Sequence, residues 1–316
     1  MTFVIAKIVD PDAGKVTLLS DTKLTHQTDD RYNRRSLSNP CQKVVIVDDD
    51  VAVAFAGDTP ESALKRVVEL RGQTLSAITA ALLSFTTEMQ ELRGVSKSFL
   101  IVARTPSPRI TVISNGKLED RTDVGTGWIG DPDAFHAFSE VFHDPTAPAD
   151  RSLEERFFMA MVNLIGFEDI ETVGGYLVRV SGSTDQPLRF CTDPAFMMPD
   201  DLEGTIVRQP GRLATLKVSL AEGADPTRHI RIPIPGTDPT YSALAHYIPE
   251  ANTAWLHTHE RPGESPISLA VQSLSELTEV ARINHGQYLD PAAAERFLRG
   301  LRPSPSSMYM RPYPQP

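Results

Sequence analysis

The stretch that decides the fold is TFVIAKIVDPDAGKVTLLSDTKLT, residues 2–25. Two apolar segments rich in β-branched residues, 2–10 and 15–25, flank the turn-forming sequence PDAG. Such composition is typical of strands, and Pro, Asp and Gly are typical of the turn between them. Because the apolar character is nearly continuous, we expect both faces of each strand to be covered by other elements.

The next segments extend this pattern into a second hairpin and a pair of helices. KVVIVDDDVAVAFAG (43–57) has two apolar runs around an acidic turn, after a polar stretch at 26–42. Residues 58–72 predict a helix with Pro60 in its first turn, and 73–92 predict a longer amphipathic helix. We expect two further strands at SFLIVAR and RITVIS.

The remainder of the first two thirds repeats the order of helices and strands. Residues 125–142 indicate a glycine loop that leads into a helix, and 152–167 a second helix. A hairpin is expected over 173–183 and 186–192. Two sheets packed face to face, with a helix pair outside each, satisfy this order. The predicted fold class is therefore α+β, as a four-layer αββα sandwich with a C-terminal α/β extension.

Three regions are expected along the chain. Residues 1–198 hold the sandwich, and residues 199–303 form an accessory α/β region whose first half is β-rich. Helices are expected in that region near 266–283 and 290–301. Residues 304–316 are proline-rich, which is typical of a tail without packed structure.

Composition excludes several classes of function. The formal charge of −10 and the pI near 5.3 argue against nucleic acid or an anionic membrane as partner. No apolar run reaches the roughly 20 residues that span a bilayer, and the beginning lacks a signal-type pattern. Only Cys41 and Cys191 are present, which favours a reducing compartment. The expected location is the cytoplasm.

Four features stand in register over the first 57 residues. Thr2 begins the first strand, Asp21 follows the second in SDTKLT, Lys43 begins the third, and Gly57 closes the fourth in FAGD. Together they resemble the opening of the proteasome β-subunit family, which includes HslV-type bacterial peptidases and belongs to the N-terminal nucleophile hydrolases. The order of elements extends the resemblance over about 2–195.

The resemblance implies a role for each of these residues. Thr2 would be the nucleophile and, once Met1 is removed, its free amine would be the base, because an α-amine has a pKa of about 7.7–8.0. The Lys43 cation would lower the pKa of that amine, and Asp21 would orient Lys43. The backbone N–H of Gly57 would stabilise the oxyanion.

Structural roles are the alternatives for these positions. Lys43 and Asp21 could be charges on a solvated rim, and Gly57 could mark a turn. Their joint occurrence with a leading threonine favours the active-site interpretation. Phe55 lies where the family shapes its first specificity pocket, and it could either narrow that pocket or pack in the core.

Later positions match the family less well. The expected glycine loop could be the one around Thr126 or the one at Gly130 and Asp131. The family serine before a Gly-Gly pair is replaced by Val173, with Asp169 and Thr172 near the expected aspartate. We therefore take Thr126, Asp131, Asp169 and Thr172 as supporting candidates.

The cluster His257, His259 and Glu260 could suggest a metal site. It weakly resembles the JAMM metalloprotease motif, but the sequence has no aspartate about ten residues further on. Two histidines on one strand are more often structural, so no metal and no cofactor are expected.

The predicted function is amide hydrolysis by an N-terminal threonine, acting on peptides or proteins. The resemblance implies a closed homo-oligomeric ring, with an ATPase or adaptor as a candidate partner. Two alternatives stay open: a catalytically inactive scaffold or interaction subunit, motivated by Val173 and the C-terminal addition, and a small-molecule amidase of the same fold.

Overall fold

The computed structural model describes the chain in separate stretches. These are residues 2–23, 42–57, 60–145, 151–168, 170–174, 177–191, 195–196, 202–207, 215–220, 230–236, 243–248, 253–258 and 267–292. Together they form a mixed α/β structure of antiparallel sheets and a smaller number of helices.

The first two thirds contain ten strands and four helices within the described residues. In chain order they are β1 (Phe3–Asp10), β2 (Lys15–Ser20), β3 (Val44–Ile46), β4 (Val51–Gly57), α1 (Pro60–Glu69), α2 (Leu75–Arg93), β5 (Lys97–Ala103), β6 (Arg109–Ser114), β7 (Lys117–Asp120), β8 (Thr126–Gly130), α3 (Pro132–Phe142), α4 (Leu153–Phe167), β9 (Val178–Ser183) and β10 (Gln186–Phe190).

The first sheet has the strand order β10-β9-β2-β1-β8. The register of β1 with β2 sets Val4 opposite Ser20, and its register with β8 sets Phe3 opposite Gly130. The glycine loop expected at the start of 125–142 was therefore wrong for residues 126–130, which form an edge strand of this sheet, whereas Asp131 lies between that strand and α3. The glycines of this strand interrupt the alternation of apolar and polar residues by which strands are predicted from sequence.

The second sheet has the order β3-β4-β5-β6-β7. Within it, β4 pairs with β5 so that Gly57 lies opposite Lys97. The short edge strand β7 did not follow from the sequence, since all four of its residues are exposed. A strand without an apolar face lacks the period-two signal that distinguishes strands from loops.

The two sheets share one hydrophobic core, and helices cover their other faces. Alternate residues of β1 point in opposite directions: Val4 and Ala6 join residues of β4 and β5 in the shared core, whereas Phe3 and Ile5 pack with α3 and α4. The other face of the second sheet packs against α1 and α2. Burial on both faces explains the nearly continuous apolar sequences of these strands.

The helices begin where side chains can cap them. Ser152 and Glu155 form a reciprocal capping box at α4, and Asp131 caps α3 by accepting from Asp133 N. Thr74 caps α2, which ends at Gly94 in the left-handed conformation. These contacts satisfy backbone groups that a helix end leaves unpaired.

The last third contributes seven strands and one helix within the described residues. They are β11 (Ala195–Phe196), β12 (Leu202–Val207), β13 (Thr215–Leu220), β14 (Ile230–Pro235), β15 (Leu244–Ile248), β16 (Thr253–His257), β17 (Ile267–Ala270) and α5 (Leu274–His285). Strands β12 and β13 pair with each other, and the other five form a sheet of order β11-β14-β15-β16-β17.

This C-terminal sheet also uses both faces. Tyr247 and Leu256 pack against α5 through Leu277, whereas Leu244 and Trp255 reach the core shared by the first two sheets. The division at residue 198 stays a prediction, and the proposed tail at 304–316 lies outside the described residues.

The helices expected in this region need correction. Residues 267–270 are a strand, and the helix begins only at Leu274, after its cap Ser273. The helix expected over 290–301 lies mostly outside the described residues. Over the described ranges, none of the helices is both long and apolar enough to cross a membrane.

Candidate active site

The four residues singled out in the first 57 belong to corresponding strand ends. Thr2 precedes β1, Asp21 follows β2, Lys43 precedes β3 and Gly57 ends β4. Because β1 pairs antiparallel with β2, and β3 with β4, the start of one strand lies beside the end of its partner. The two hairpins thereby carry these four residues at the ends of strands whose interiors are mainly apolar.

Thr2, Asp21 and Lys43 are in direct contact. The Thr2 hydroxyl accepts a hydrogen bond from Lys43 Nζ and donates one to Asp21 Oδ1. Lys43 Nζ also donates to Asp21 Oδ1 at 2.8 Å. All three side chains are buried. The structure thus brings together three of the residues chosen from the sequence.

Backbone donors hold the Asp21 carboxylate in place. Oδ1 accepts from Phe3 N at 3.1 Å, and Oδ2 accepts from Lys23 N at 3.2 Å and Gly174 N at 3.3 Å. With the Lys43 ammonium, these N–H groups compensate for removing a carboxylate from water. The carboxylate is therefore fixed by β1, by the turn after β2 and by the 170–174 segment together.

Lys43 has an acceptor for each of its three ammonium protons. Besides Thr2 and Asp21, Nζ donates to the backbone carbonyl of Lys23 at 2.6 Å. An ammonium has three donors and no acceptor, so this set uses its full capacity. The cation is consequently aimed at the Thr2 hydroxyl with little freedom to turn away.

Gly57 requires glycine for a local steric reason. Its φ is +121°, and a Cβ at this position would lie 2.5 Å from the carbonyl oxygen of Ser96. Two residues earlier, Phe55 N donates to the carbonyl of Lys43 at 3.0 Å. The end of β4 is thereby tied to the beginning of β3, next to the lysine.

Phe55 packs towards the helices. Only 2% of the residue is exposed, and its ring lies 5.9 Å from that of Phe99. The Lys97 ammonium lies 5.2 Å from the Phe55 ring centroid, and Lys97 Nζ also donates to Ser62 of α1 at 3.2 Å. A buried cation therefore lies behind Phe55, between β5 and α1.

Of the two alternative glycine loops, Gly130 and Asp131 lie next to Thr2. Asp131 N donates to the Thr2 carbonyl at 2.9 Å, and the Thr172 hydroxyl donates to Asp131 Oδ2. A Cβ on Gly130 would lie 1.8 Å from the Thr2 carbonyl oxygen, so only glycine permits this approach. Asp131 thus links the Thr2 backbone, the start of α3 and the 170–174 segment.

The other supporting candidates are placed differently. Thr126 pairs with Lys7, five residues along β1 from Thr2, which corresponds to roughly 16 Å at the usual rise per residue. It does not join the contacts around Thr2. Asp169 lies outside the described residues. Val173 is buried among the residues that pack α3 and α4 on the first sheet.

Sequence reasoning missed the contribution of Lys23 and Gly174. Both act through backbone atoms: each donates an N–H to Asp21, and the Gly174 carbonyl accepts from the N–H groups of Thr22 and Lys23. Backbone contacts leave little trace in residue identity. The turn-forming sequence around SDTKLT and the Gly-Gly pair were the available signals.

The histidines considered for metal binding lie in the C-terminal region. His257 is in β16, buried, and its ring centroid lies 5.8 Å from that of His246. Desolvation lowers the pKa of His257 to about 3. His259 and Glu260 lie outside the described residues, and elsewhere in the described chain no group of three or more His, Cys, Asp or Glu residues is arranged to hold a metal.

Comparison with known proteins gives one kind of match. No protein-family model matches the chain, and no curated protein matches it in sequence. Among the solved structures that are similar is eukaryotic HslV from Trypanosoma brucei, at 16% sequence identity and a TM-score of 0.43. The match covers 58% of this chain and 99% of the HslV chain.

Proposed function

We propose that this protein is an amide hydrolase whose nucleophile is the hydroxyl of Thr2, with peptides or proteins as substrates. The proposal includes the fold: residues 2–195 form the αββα sandwich of the N-terminal nucleophile hydrolases. One core shared by two sheets, with helices packed on each outer face, supports this fold assignment.

The observation that carries the proposal is the contact of Lys43 Nζ with Thr2 Oγ1 inside a buried ion pair with Asp21. A buried lysine and a buried aspartate each need an opposite charge nearby, but this pairing does not require a threonine hydroxyl in contact with both. A cation aimed at a hydroxyl lowers the cost of forming an alkoxide on that oxygen.

In the proposed reaction, removal of Met1 frees the amine of Thr2. That amine takes the hydroxyl proton as Oγ1 attacks the carbonyl carbon of the substrate. The breaking C–N bond releases the leaving amine with a proton, and an ester to Thr2 remains. Water activated by the same amine then hydrolyses the ester. Lys43 favours the neutral form of the amine, and the Gly57 N–H would stabilise the oxyanion.

The chemistry proposed here requires neither a metal nor an organic cofactor. The resemblance in the first 57 residues also motivates a cytoplasmic homo-oligomeric ring, which would enclose the peptidase sites, and an ATPase or adaptor that delivers substrates. These features of assembly and partnership rest on the proposed membership of the family.

A second candidate is an inactive scaffold with the same fold. Val173 favours it, because an apolar buried side chain stands where the family has a serine. The hydrogen bond from the Thr172 hydroxyl to the Asp131 carboxylate favours an active enzyme, because it places a hydroxyl–carboxylate pair one residue before Val173. A small-molecule amidase would share the active-site chemistry and differ only in the substrate.

Peptide hydrolysis and particle size separate these candidates. Protein with Thr2 at its N-terminus should cleave fluorogenic peptides, and the Thr2→Ala variant should not, while both sediment as the same oligomer. An inactive scaffold would assemble without cleaving peptides or simple amides. Cleavage of small amides alone would identify an amidase, and a stable monomer at micromolar concentration would contradict the ring.

A further inference from the structure

A second polar cluster lies on the outer face of the first sheet, away from Thr2. It contains Lys7 from β1, Thr126 from β8, Phe142 at the end of α3 and Arg156 in α4. Phe3, Ile5 and Val9 lie on the same face of β1 and pack under the helices. Lys7 is therefore a lysine in an otherwise apolar row.

Both cations of this cluster lie against the same aromatic ring. Lys7 Nζ is 5.4 Å from the Phe142 ring centroid, and Arg156 Cζ is 5.6 Å from it. Lys7 Nζ also donates to Thr126 Oγ1 at 2.9 Å. A hydroxyl that accepts a hydrogen bond still has its own proton to donate, so Thr126 keeps a donor in addition to those of the two cations.

Within the described ranges, the cluster is cationic and no carboxylate is paired with either cation. Desolvation and then repulsion from Arg156 hold the pKa of Lys7 below its usual value. Among the residues that the structure describes, neither Lys7 nor Arg156 forms an ion pair with an acid, and Arg156 Nε is buried without a hydrogen-bond partner. Elsewhere on the same sheet Lys15 and Arg179 both contact Glu154, so pairing with an acid is available on this surface.

We propose that Lys7, Arg156 and Thr126 bind a phosphate group. A guanidinium and a hydroxyl are donors well suited to phosphate oxygens, and an ammonium adds a point charge. The dianion would balance both cations. Because the chain carries a formal charge of −10, its overall field repels anions, and binding has to come from these local contacts.

The same chemistry fits inorganic phosphate and the phosphate group of a small phosphorylated metabolite. Titration calorimetry with inorganic phosphate, at ionic strength held constant with chloride, tests the site. A parallel titration with glycerol phosphate distinguishes the sources: tighter binding of the ester assigns a metabolite, and equal or weaker binding assigns free phosphate. The site does not involve Thr2, so its test is independent of the proposed hydrolase activity.

Two variants remove donors of the site, and one serves as a matched control. Arg156→Gln should weaken phosphate binding by at least about tenfold, as expected for loss of a charge-assisted hydrogen bond, and Thr126→Val by several-fold. Lys117→Gln removes one positive charge from exposed strand β7 of the other sheet and should leave the affinity unchanged. Arg156→Lys keeps the charge and should retain part of the affinity.

Thermal melting without phosphate checks that each variant is folded before it is titrated. Saturable one-to-one binding by the wild type that is weakened at least about tenfold in Arg156→Gln and unchanged in Lys117→Gln supports the site. The proposal is overturned if the wild type shows no saturable binding, or if Arg156→Gln and Thr126→Val bind phosphate as tightly as the wild type does.

Discussion

Lys43 Nζ and Asp21 Oδ1 form a hydrogen-bonded ion pair at 2.8 Å whose side chains are 3% and 0% exposed. Burying such a pair costs more desolvation energy than burying apolar side chains of similar volume, and the Coulomb attraction does not always offset it. The pair is supported by further hydrogen bonds from Phe3 N and Gly174 N and to the Lys23 carbonyl. Stability alone does not account for such a buried pair, whereas the proposed activation of Thr2 would.

Lys43→Ala tests the expected effects of this ion pair on catalysis and on stability. Loss of the cation should lower kcat/KM for peptides by about 10²–10³-fold, as removal of a single electrostatic contact commonly does. It should also destabilise the fold by about 3–5 kcal/mol, because the Asp21 carboxylate stays buried without its partner. Urea unfolding and peptide hydrolysis measure the two effects. Lys117→Ala removes an exposed lysine and should change neither, and full activity in Lys43→Ala would refute the catalytic role.

Gly57→Ala should destabilise the fold much more than Gly94→Ala, a substitution at another glycine with positive φ. Both Gly57 and Gly94 have positive φ, at +121° and +62°. A side chain in the left-handed conformation of Gly94 costs about 1–2 kcal/mol, and φ at Gly57 lies still further from the conformations open to a side chain. Only at Gly57 would the Cβ also meet a backbone carbonyl, that of Ser96, whereas nothing lies within 4 Å at Gly94. We expect the free energy of unfolding to fall by at least about 2 kcal/mol more in Gly57→Ala. Equal losses in the two variants would contradict the packing described at β4.

Asp131→Ala separates capping from positioning of Thr2. The carboxylate caps α3 and accepts from Thr172, so its removal should cost about 0.5–2 kcal/mol of stability. Ser152→Ala removes the cap of α4, away from Thr2, and should cost a similar amount. If Asp131 also positions the active site, kcat falls in Asp131→Ala alone. A parallel fall of kcat in both variants would show that Asp131 acts only through stability.

His257 should make stability depend on pH in a defined window. Its pKa is about 3 in the folded protein and near 6.5 when unfolded, so below pH 6.5 the unfolded state binds a proton that the folded state does not. Stability is then lost as pH falls from 6.5 towards 3, by up to about 1.4 kcal/mol per pH unit. The free energy of unfolding of His257→Leu should lack this dependence on pH. Identical slopes for the wild type and His257→Leu would refute the assignment.

The strand ends around Thr2 could be predicted because they are local in sequence. Apolar runs located β1, β2 and the β3–β4 hairpin, and polar residues at their ends indicated Asp21 and Lys43. The backbone partners of Asp21 could not be predicted in this way. Gly174 N reaches Asp21 from 153 positions away, and any residue type other than proline offers the same N–H.

The edge strands show why other predictions failed. In β8, Trp128 and Ile129 stand among glycines, so the sequence resembled a loop until pairing with β1 was known. The pairing register sets Thr126 opposite Lys7, whereas Asp131 lies beside Thr2. Spacing in the sequence alone could not show which of the two candidate glycine segments lies near Thr2. In the C-terminal region, Ile267–Ala270 was taken for the start of a helix because its four residues are too short to show a strand period.

The most direct measurement of the central proposal is covalent labelling of Thr2 by a peptide α′,β′-epoxyketone, read by intact-mass spectrometry. This reagent closes a ring only with a hydroxyl and a free amine on the same residue. Protein with Thr2 at its N-terminus should gain one inhibitor mass on Thr2 and lose peptidase activity in parallel. Protein with a retained residue before Thr2 has an amide in place of the amine and should neither react nor cleave peptides. Unlabelled Thr2 in fully active protein, or equal peptide hydrolysis by the blocked form, would contradict the proposal.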